Sequence, residues 1–257
     1  MNYLVYKDKE EYTKVWYRQR PYLTGAHLKY IAMFFMLLSH LAQTGFMYGL
    51  GQKYFVLADI FVLLGRISMP IFCFFTVQAV IYTKDFKKYC LRMLLFALVS
   101  EIPFDISIYG TPFYMDGQNV IFTLLIGAIV IYGIDYFWKK EVNTILKILV
   151  ILIIIFIGSN LALTLRTDYK HNGVMAIVLL YLARDSKILT SLALLLAFYF
   201  EFIMGGYAIP ITYGVVYLAI PLIMLYNGQR GKQNKWAFYI FYPAQLLFIY
   251  LLKLLFL

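Results

Sequence analysis

Charge is scarce in this chain. Asp, Glu, Lys and Arg make up 14% of its 257 residues and hydrophobic residues 63%, where a soluble domain has about 25% and 45–50%. That excludes an ordinary water-soluble globule. Acidic residues are scarcer still, 13 against 23 basic ones, for a net charge of +10. Such an excess can serve nucleic acid, but here it sits in short loops between apolar runs, the placement that orients membrane proteins. No nucleic-acid partner is expected. Cysteine is limited to Cys73 and Cys90, both in or beside apolar segments, which argues against a disulfide framework or a metal cluster. No cleavable signal is expected in the first thirty residues, because Lys7 to Tyr22 is polar and no small-residue cleavage site follows a short apolar core. Linkers, internal repeats and low-complexity tracts are lacking, so residues 1–257 read as one transmembrane domain with a basic cytoplasmic segment over 1–28. Neither a His-Glu-x-x-His run nor a Gly-x-Ser motif is present, which removes the common membrane protease signatures.

Apolar stretches near the ~20 residues needed to cross a bilayer are what the chain has in abundance. The pattern predicts an all-α, polytopic helical bundle of about nine spanning or partly spanning helices: roughly 30–49, 55–82, 88–104, 119–137, 145–165, 172–184, 187–205, 208–226 and 236–256. Basic residues orient them. Lys7, Lys9, Lys14, Arg18 and Arg20 precede the first helix; Lys84, Lys87 and Lys88 follow the second. Lys139 and Lys140 follow the fourth, Arg184 and Lys187 the sixth, Arg230, Lys232 and Lys235 the eighth. The intervening loops hold Lys53, Arg166 and Lys170. Basic loops thus alternate with basic-poor ones, predicting a cytoplasmic N-terminus and a C-terminus on the outer side.

An ionisable side chain at a helix centre costs about 2.5–3.5 kcal/mol on insertion scales, so each needs a partner or a purpose. His40 is placed about 15 Å along its helix, near mid-membrane, by a rise of ~1.5 Å per residue. Arg66 lies at a comparable depth in the next helix, with Asp59 two turns away on the same face. Glu101 and Glu201 fall in the outer part of theirs, and Asn119, Thr123, Asp168 and His171 near outer ends. Pro70 is expected to kink the second helix, and Pro103 to end the third so that Asp105 turns into a vestibule. A structural ion pair between Arg66 and an acid, or an interhelical hydrogen bond from His40, is the alternative reading. Lys253 is expected to snorkel outward. On the inner side Lys29, Arg92 and the turn Asn227-Gly228-Gln229-Arg230-Gly231 form a second set, suited either to holding a phosphate or to plain inside-positive charge with a glycine cap.

These residues carry a resemblance. LKYIAMFFMLLSH, GRISMPIFCFFTVQAVIYTKDFKKYCLRMLLFALVSEIPFDI, NVIFTLLIGAIVIY, DYKHNGVMAIVLLYLAR and PLIMLYNGQRGKQNKWAFYIFYP follow, in order, the pattern of the TraX family over about Leu28 to Tyr250. The resemblance implies an integral membrane acyltransferase that uses cytoplasmic acetyl-CoA, as in the founding member, which N-acetylates the amino terminus of conjugative pilin. It implies a catalytic set of His40, Arg66, Glu101 and Asp105, with Asn227, Gly228 and Gly231 on the inner side. The expected acceptor is an amine on a peptide or pilin-like partner, reached through a vestibule of Asp59, Asn119, Thr123, Asp168 and Glu201, with membrane lipids around the bundle. Acetyl-CoA would meet Lys29, Arg92 and Arg230, and no metal is implied. Three positions depart from the family pattern: Ser39 stands where Asp usually precedes the His, no His lies between Gln78 and Thr83, and Ala244-Gln245 follow Pro243 where a His is common. A proton-coupled transporter or flippase, or a non-catalytic assembly partner, draws on the same polar residues.

Overall fold

The computed structural model describes Trp16, residues 22–204 and residues 214–257. Most of the basic segment 1–28 and the first part of the expected helix 208–226 lie outside the described residues. Within them the helices are α1 (Gly25–Gln43), α2 (Phe46–Gly49), α3 (Phe55–Gly65), α4 (Ser68–Tyr82), α5 (Phe86–Tyr109), α6 (Val120–Trp138), α7 (Thr144–Thr164), α8 (Lys170–Leu182), α9 (Lys187–Met204), α10 (Ala219–Met224) and α11 (Lys235–Phe256). Short 3₁₀ turns, Gln52–Tyr54 and Gly214–Leu218, precede α3 and α10. No strand occurs among the described residues, where two isolated parallel bridges, Leu23–Tyr226 and Gln118–Thr167, are the β-type pairing. Among the same residues five stretches are long and apolar enough to cross a bilayer: Gly25–Gln43, Gln52–Tyr82, Val120–Trp138, Thr144–Thr164 and Trp236–Phe256. The protein is an all-α helical membrane bundle.

Local chemistry sets the helix ends. Thr24 caps α1, its hydroxyl accepting from the His27 N–H while His27 Nδ1 accepts from the Thr24 N–H. This reciprocal box starts α1 five residues before the expected position. Gly45, at φ 81°, then stops it at Gln43, since a left-handed residue just past the last turn is glycine's usual place. The expected helix 30–49 is therefore two helices, and His40 sits in the last turn of α1.

The expected second helix also divides, at Arg66–Ile67, whose N–H groups bond to Leu63 and Leu64 in tight 3₁₀ fashion. Pro70 explains the place: it cannot donate to the carbonyl four residues back, which is that of Arg66, and its ring crowds that carbonyl. Pro103 behaves differently. α5 runs through it to Tyr109, correcting the expectation that the helix ends there. Prolines are tolerated within membrane helices where neighbours re-satisfy the freed backbone groups.

By contacts the chain forms two compact units, residues 1–17, 73–95 and 116–204, and residues 18–72, 96–115 and 205–257, with boundaries inside α4 and α5. In the first, α8 packs on α6, α7 and α9. Small residues allow close approach: a side chain at Gly127 would meet Ile177 of α8, and one at Gly158 would meet Val130 of α6. α7 buries Gly158 and Ala162 and turns Leu149, Leu152, Ile153 and Phe156 outward, a face that suits lipid. In the second unit, α1 packs on α3 and α11. The α1–α3 crossing is tight because Gly65 has no side chain; a Cβ there would lie 2.1 Å from Ser39 Cβ.

Candidate functional site

The second unit holds two groups of functional side chains, one at each end of α1. At its N-terminal end the loop 225–231 is laced to the chain. Leu23 N–H donates to the Leu225 carbonyl, Asn227 N–H to Leu23, Gly25 N–H to Gln229 and Ala26 N–H to Arg230, all within 3.1 Å. Asn227 Oδ1 accepts from the Gln229 N–H. Gly228 and Gly231 take positive φ, 78° and 71°, and Gly231 lies so close to Thr24 that a Cβ would come within 2.4 Å of its hydroxyl. Asn227, Gly228 and Gly231 thus fold the loop, and the loop presents Arg230.

Arg230 lines an open recess of about 650 Å³ with Tyr30, Lys232, Gln233, Asn234 and Trp236. Lys29 stands beside it. Its Nζ donates to Gln233 Oε1 at 3.2 Å, lies 5.3 Å from the Phe238 ring centroid, and is close enough to Arg230 for the two positive charges to interact. Like charges held together this way favour an anion between them. Sequence reasoning placed Lys29 and Arg230 here but missed Tyr30, Lys232, Gln233 and Trp236; the aromatic pair flanking a basic turn was the available signal. Arg92 is exposed and belongs to the first unit.

At the C-terminal end of α1, His40 is buried, with its ring edge-on to Tyr242 of α11 at 5.8 Å. Gln245, one turn further along α11, is buried as well. Neither amide atom of Gln245, nor His40 Nδ1, has a hydrogen-bond partner among the described residues. Ser39 faces away, packed on Gly65 and accepting from Gln43 Nε2 at 2.9 Å. Because Ser39 touches Gly65, the crossing also brings the backbone at Arg66 alongside the turn that carries His40. Arg66 and Glu101 are both half-buried and both engaged by neighbours.

On α5, Ser100, Asp105 and Ser107 are buried. Ser107 donates to the Leu246 carbonyl at 2.7 Å, tying α5 to α11. Asp105 Oδ2 accepts from the Tyr114 N–H at 2.8 Å, while its Oδ1 and the Ser100 hydroxyl lack partners among the described residues. Lys253 does not snorkel: its Nζ donates to the Thr44 carbonyl at 2.6 Å and to that of Ser107 at 3.5 Å. Asp59, at the exposed start of α3, accepts from the Tyr48 hydroxyl at 2.6 Å, which pushes the Tyr48 phenol up to about 12.

The other expected vestibule residues lie in the first unit. Asn119 caps α6, accepting from the Ile121 N–H. The Thr123 hydroxyl meets the Thr167 hydroxyl at 2.9 Å and the Asp168 carbonyl. Asp168 N–H donates to the Gln118 carbonyl, and Arg166 pairs with Asp116. Asp168 Oδ1 accepts from the Tyr169 N–H. Although Asp168 keeps surface area, the atoms packed around its carboxylate raise its pKa to about 6, with Glu201 of α9 adding to the rise and the Tyr169 N–H and Lys170 opposing it. The structure therefore brings Thr123, Asp168 and Glu201 into one neighbourhood.

A family model described as TraX protein matches residues 24–253. Among curated proteins, the "Probable fimbrial assembly protein FimC, serogroup H1" of Dichelobacter nodosus is 24% identical over 200 residues, covering 71% of this chain and 78% of that protein. No solved structure matches.

Proposed function

This chain belongs to the TraX family, and from that premise we propose that it is a membrane acyltransferase, moving an acetyl group from cytoplasmic acetyl-CoA to an amine on a peptide or pilin-like acceptor in a bacterial inner membrane. The observation that carries the proposal is α1 itself. One helix has a basic, aromatic recess at Lys29–Tyr30 and a buried imidazole at His40, eleven residues or about 16 Å apart along the axis. Phosphates of coenzyme A fit Lys29, Arg230 and Lys232, with Arg230 offering a planar fork. Tyr30 and Trp236 offer faces for the adenine ring. The extended phosphopantetheine arm then carries the thioester along α1 toward His40.

There the acceptor amine attacks the thioester carbonyl. The C–N bond forms and the C–S bond breaks. His40 takes the proton the amine loses and returns it to the departing thiolate, as a general base and then acid. Arg66, beside the same crossing, offsets charge on the carbonyl oxygen. Glu101 and Asp105 attract a cationic amine. The relative's printed name, a fimbrial assembly protein, favours an acceptor of the pilin type.

Calorimetry with acetyl-CoA on the detergent-solubilised protein tests this. Micromolar binding, weakened in Arg230→Ala and kept in His40→Ala, supports the reading. Absence of binding at millimolar acetyl-CoA would end it and leave a non-catalytic assembly partner, which the relative's name also accommodates.

A further inference from the structure

Resting on the acyltransferase reading of the same site, we propose that Gln245 is a specificity-determining residue for the acceptor: its amide pairs with the N–H and carbonyl of the acceptor's second residue and so sets the terminal amine beside His40. The seam between α1 and α11 carries the assignment, and two contacts bracket it. At one end the His40 ring meets Tyr242 edge-on at 5.8 Å. At the other, Lys253 Nζ donates to the Thr44 carbonyl at 2.6 Å. Thr44 lies one turn beyond His40, its N–H bonded to the His40 carbonyl at 3.1 Å. Tyr242, Gln245, Ile249 and Lys253 recur every three or four residues, so they share one face of α11. Gln245 therefore falls inside the brackets.

Inside them the polar atoms are unsatisfied. Gln245 is 5% exposed and Thr44 4%. Both amide atoms of Gln245, the Thr44 hydroxyl and His40 Nδ1 have no hydrogen-bond partner among the described residues. Polar groups buried this way are costly, and three side chains of one seam share that cost, which points to a ligand. Its chemistry follows from the amide, which offers a donor and an acceptor side by side. The matching partner is one residue of an extended peptide, whose own N–H and carbonyl point the same way. Free rotation of the amide is no obstacle: selectivity comes from offering both roles at once, and the ligand sets the orientation. With the acceptor's second residue held so, the terminal amine lies one residue back, and His40 is the base on the same seam. A lysine side-chain amine, an amino sugar or a lipid amine brings no peptide N–H at that position. Gln245 selects which amine arrives and takes no part in the proton transfer.

The test is calorimetry on the full chain in detergent, without acetyl-CoA, using trialanine amide and its ester analogue, in which oxygen replaces the first peptide N–H. Wild type is expected to bind the amide about tenfold more tightly than the ester, as the loss of one hydrogen bond implies. Gln245→Leu should weaken binding of the amide and bring the two affinities together. Gln245→Glu keeps an acceptor and should preserve a preference for the amide. Ser39→Ala, on the face turned to Gly65, should leave both affinities in place. Equal affinities in wild type, no binding of either probe at millimolar concentration, or a preference that survives Gln245→Leu would overturn the proposal. Should the leucine variant fail to fold, Gln245→Met, apolar and close in length, takes its place. Acetyl transfer to trialanine amide is followed separately. Amide-selective binding without transfer would keep the recognition site and remove the acyltransferase; transfer with equal affinities would remove the role of Gln245 alone.

Discussion

Two polar clusters sit in this apolar protein, and they differ in how completely their groups are satisfied. Around the Gln118–Thr167 bridge most polar atoms find one another, His171 Nδ1 being a buried exception. Thr123 bonds to Thr167 and to the Asp168 carbonyl, Asn119 caps α6, Arg166 pairs with Asp116, and the Gln118 backbone donates to the Arg166 carbonyl and accepts from the Asp168 N–H. In the second unit more atoms are left over: His40 Nδ1, both amide atoms of Gln245, the Ser100 hydroxyl and Asp105 Oδ1 are buried with partners missing among the described residues. Buried polar groups are nearly always paired, so an orphan asks for an explanation that a satisfied network does not. The first cluster closes the turn between α7 and α8. The second holds the groups to which the proposed function gives the chemistry.

The largest expected effect tests that contrast directly. His40→Ala should lower acetyl transfer by about 10²–10⁴-fold, the usual contribution of a general base, with the folded state retained. Thr167→Val should do the opposite, leaving transfer near normal while costing about 1–3 kcal/mol for the partners left buried and unpaired. Transfer rates and thermal unfolding of the two variants, side by side, would break the comparison if Thr167→Val proved inactive and His40→Ala active.

Next in size is the recess at the other end of α1. Arg230→Ala should weaken acetyl-CoA binding by about tenfold or more, as loss of a charge-assisted hydrogen bond of about 1.5–3 kcal/mol implies. Calorimetry reads this, and Arg230→Lys should recover only part of it if the planar fork matters. An unchanged Kd in both would leave the recess as inside-positive charge around a glycine-folded turn.

Helix contacts supply a smaller pair. Gly65→Ala would put its Cβ 2.1 Å from Ser39 Cβ and 3.1 Å from its Cα, so the helices themselves must part. Overpacking of that kind costs about 1–3 kcal/mol, and it displaces the turn bearing His40. Gly158→Ala meets Val130 Cγ2 at 2.2 Å with the Val130 Cβ already 3.6 Å away; one rotating methyl relieves much of it. Unfolding in detergent should rank Gly65→Ala well below Gly158→Ala, and only Gly65→Ala should slow transfer.

Much of this was legible in the sequence, for reasons that particular residues make plain. Long apolar runs with basic residues between them dictate helices, and α6, α7, α9 and α11 fall close to where the pattern puts them. The misses lie where one glycine or proline outweighs the pattern: Gly45 ends α1 early, Pro70 breaks the chain at Arg66, and Pro103 fails to break α5. His40, Arg66, Glu101 and Asp105 stand out because ions in lipid are expensive. Gln245 does not stand out in that way. A neutral amide is not an ion, and its burial depends on how α11 packs on α1, which no local spacing encodes. The expected vestibule rests on depth alone. Depth put Asp59 with Asp168, whereas the fold gives Asp59 to Tyr48 and Asp168 to the turn before α8.

The smallest effect concerns that aspartate, and pH isolates it. An unfolded Asp titrates near 3.9, whereas Asp168 in the folded protein titrates at about 6, raised chiefly by the atoms crowding its carboxylate. Between those values the folded chain keeps a proton that the unfolded chain has shed. Stability from this group is therefore fully present at about pH 4 and below, and is lost as pH rises through about 6. Asp168→Asn keeps an oxygen for the Tyr169 N–H and removes the titration. The difference in melting temperature between variant and wild type should change across pH 4 to 7, favouring the variant at the upper end. A flat difference would mean that Asp168 titrates as it does in the unfolded chain. If transfer also fell by tenfold or more in Asp168→Asn, the carboxylate would belong to the acceptor's path. The satisfied cluster would then be a second part of the site, and the contrast with His40 would no longer hold.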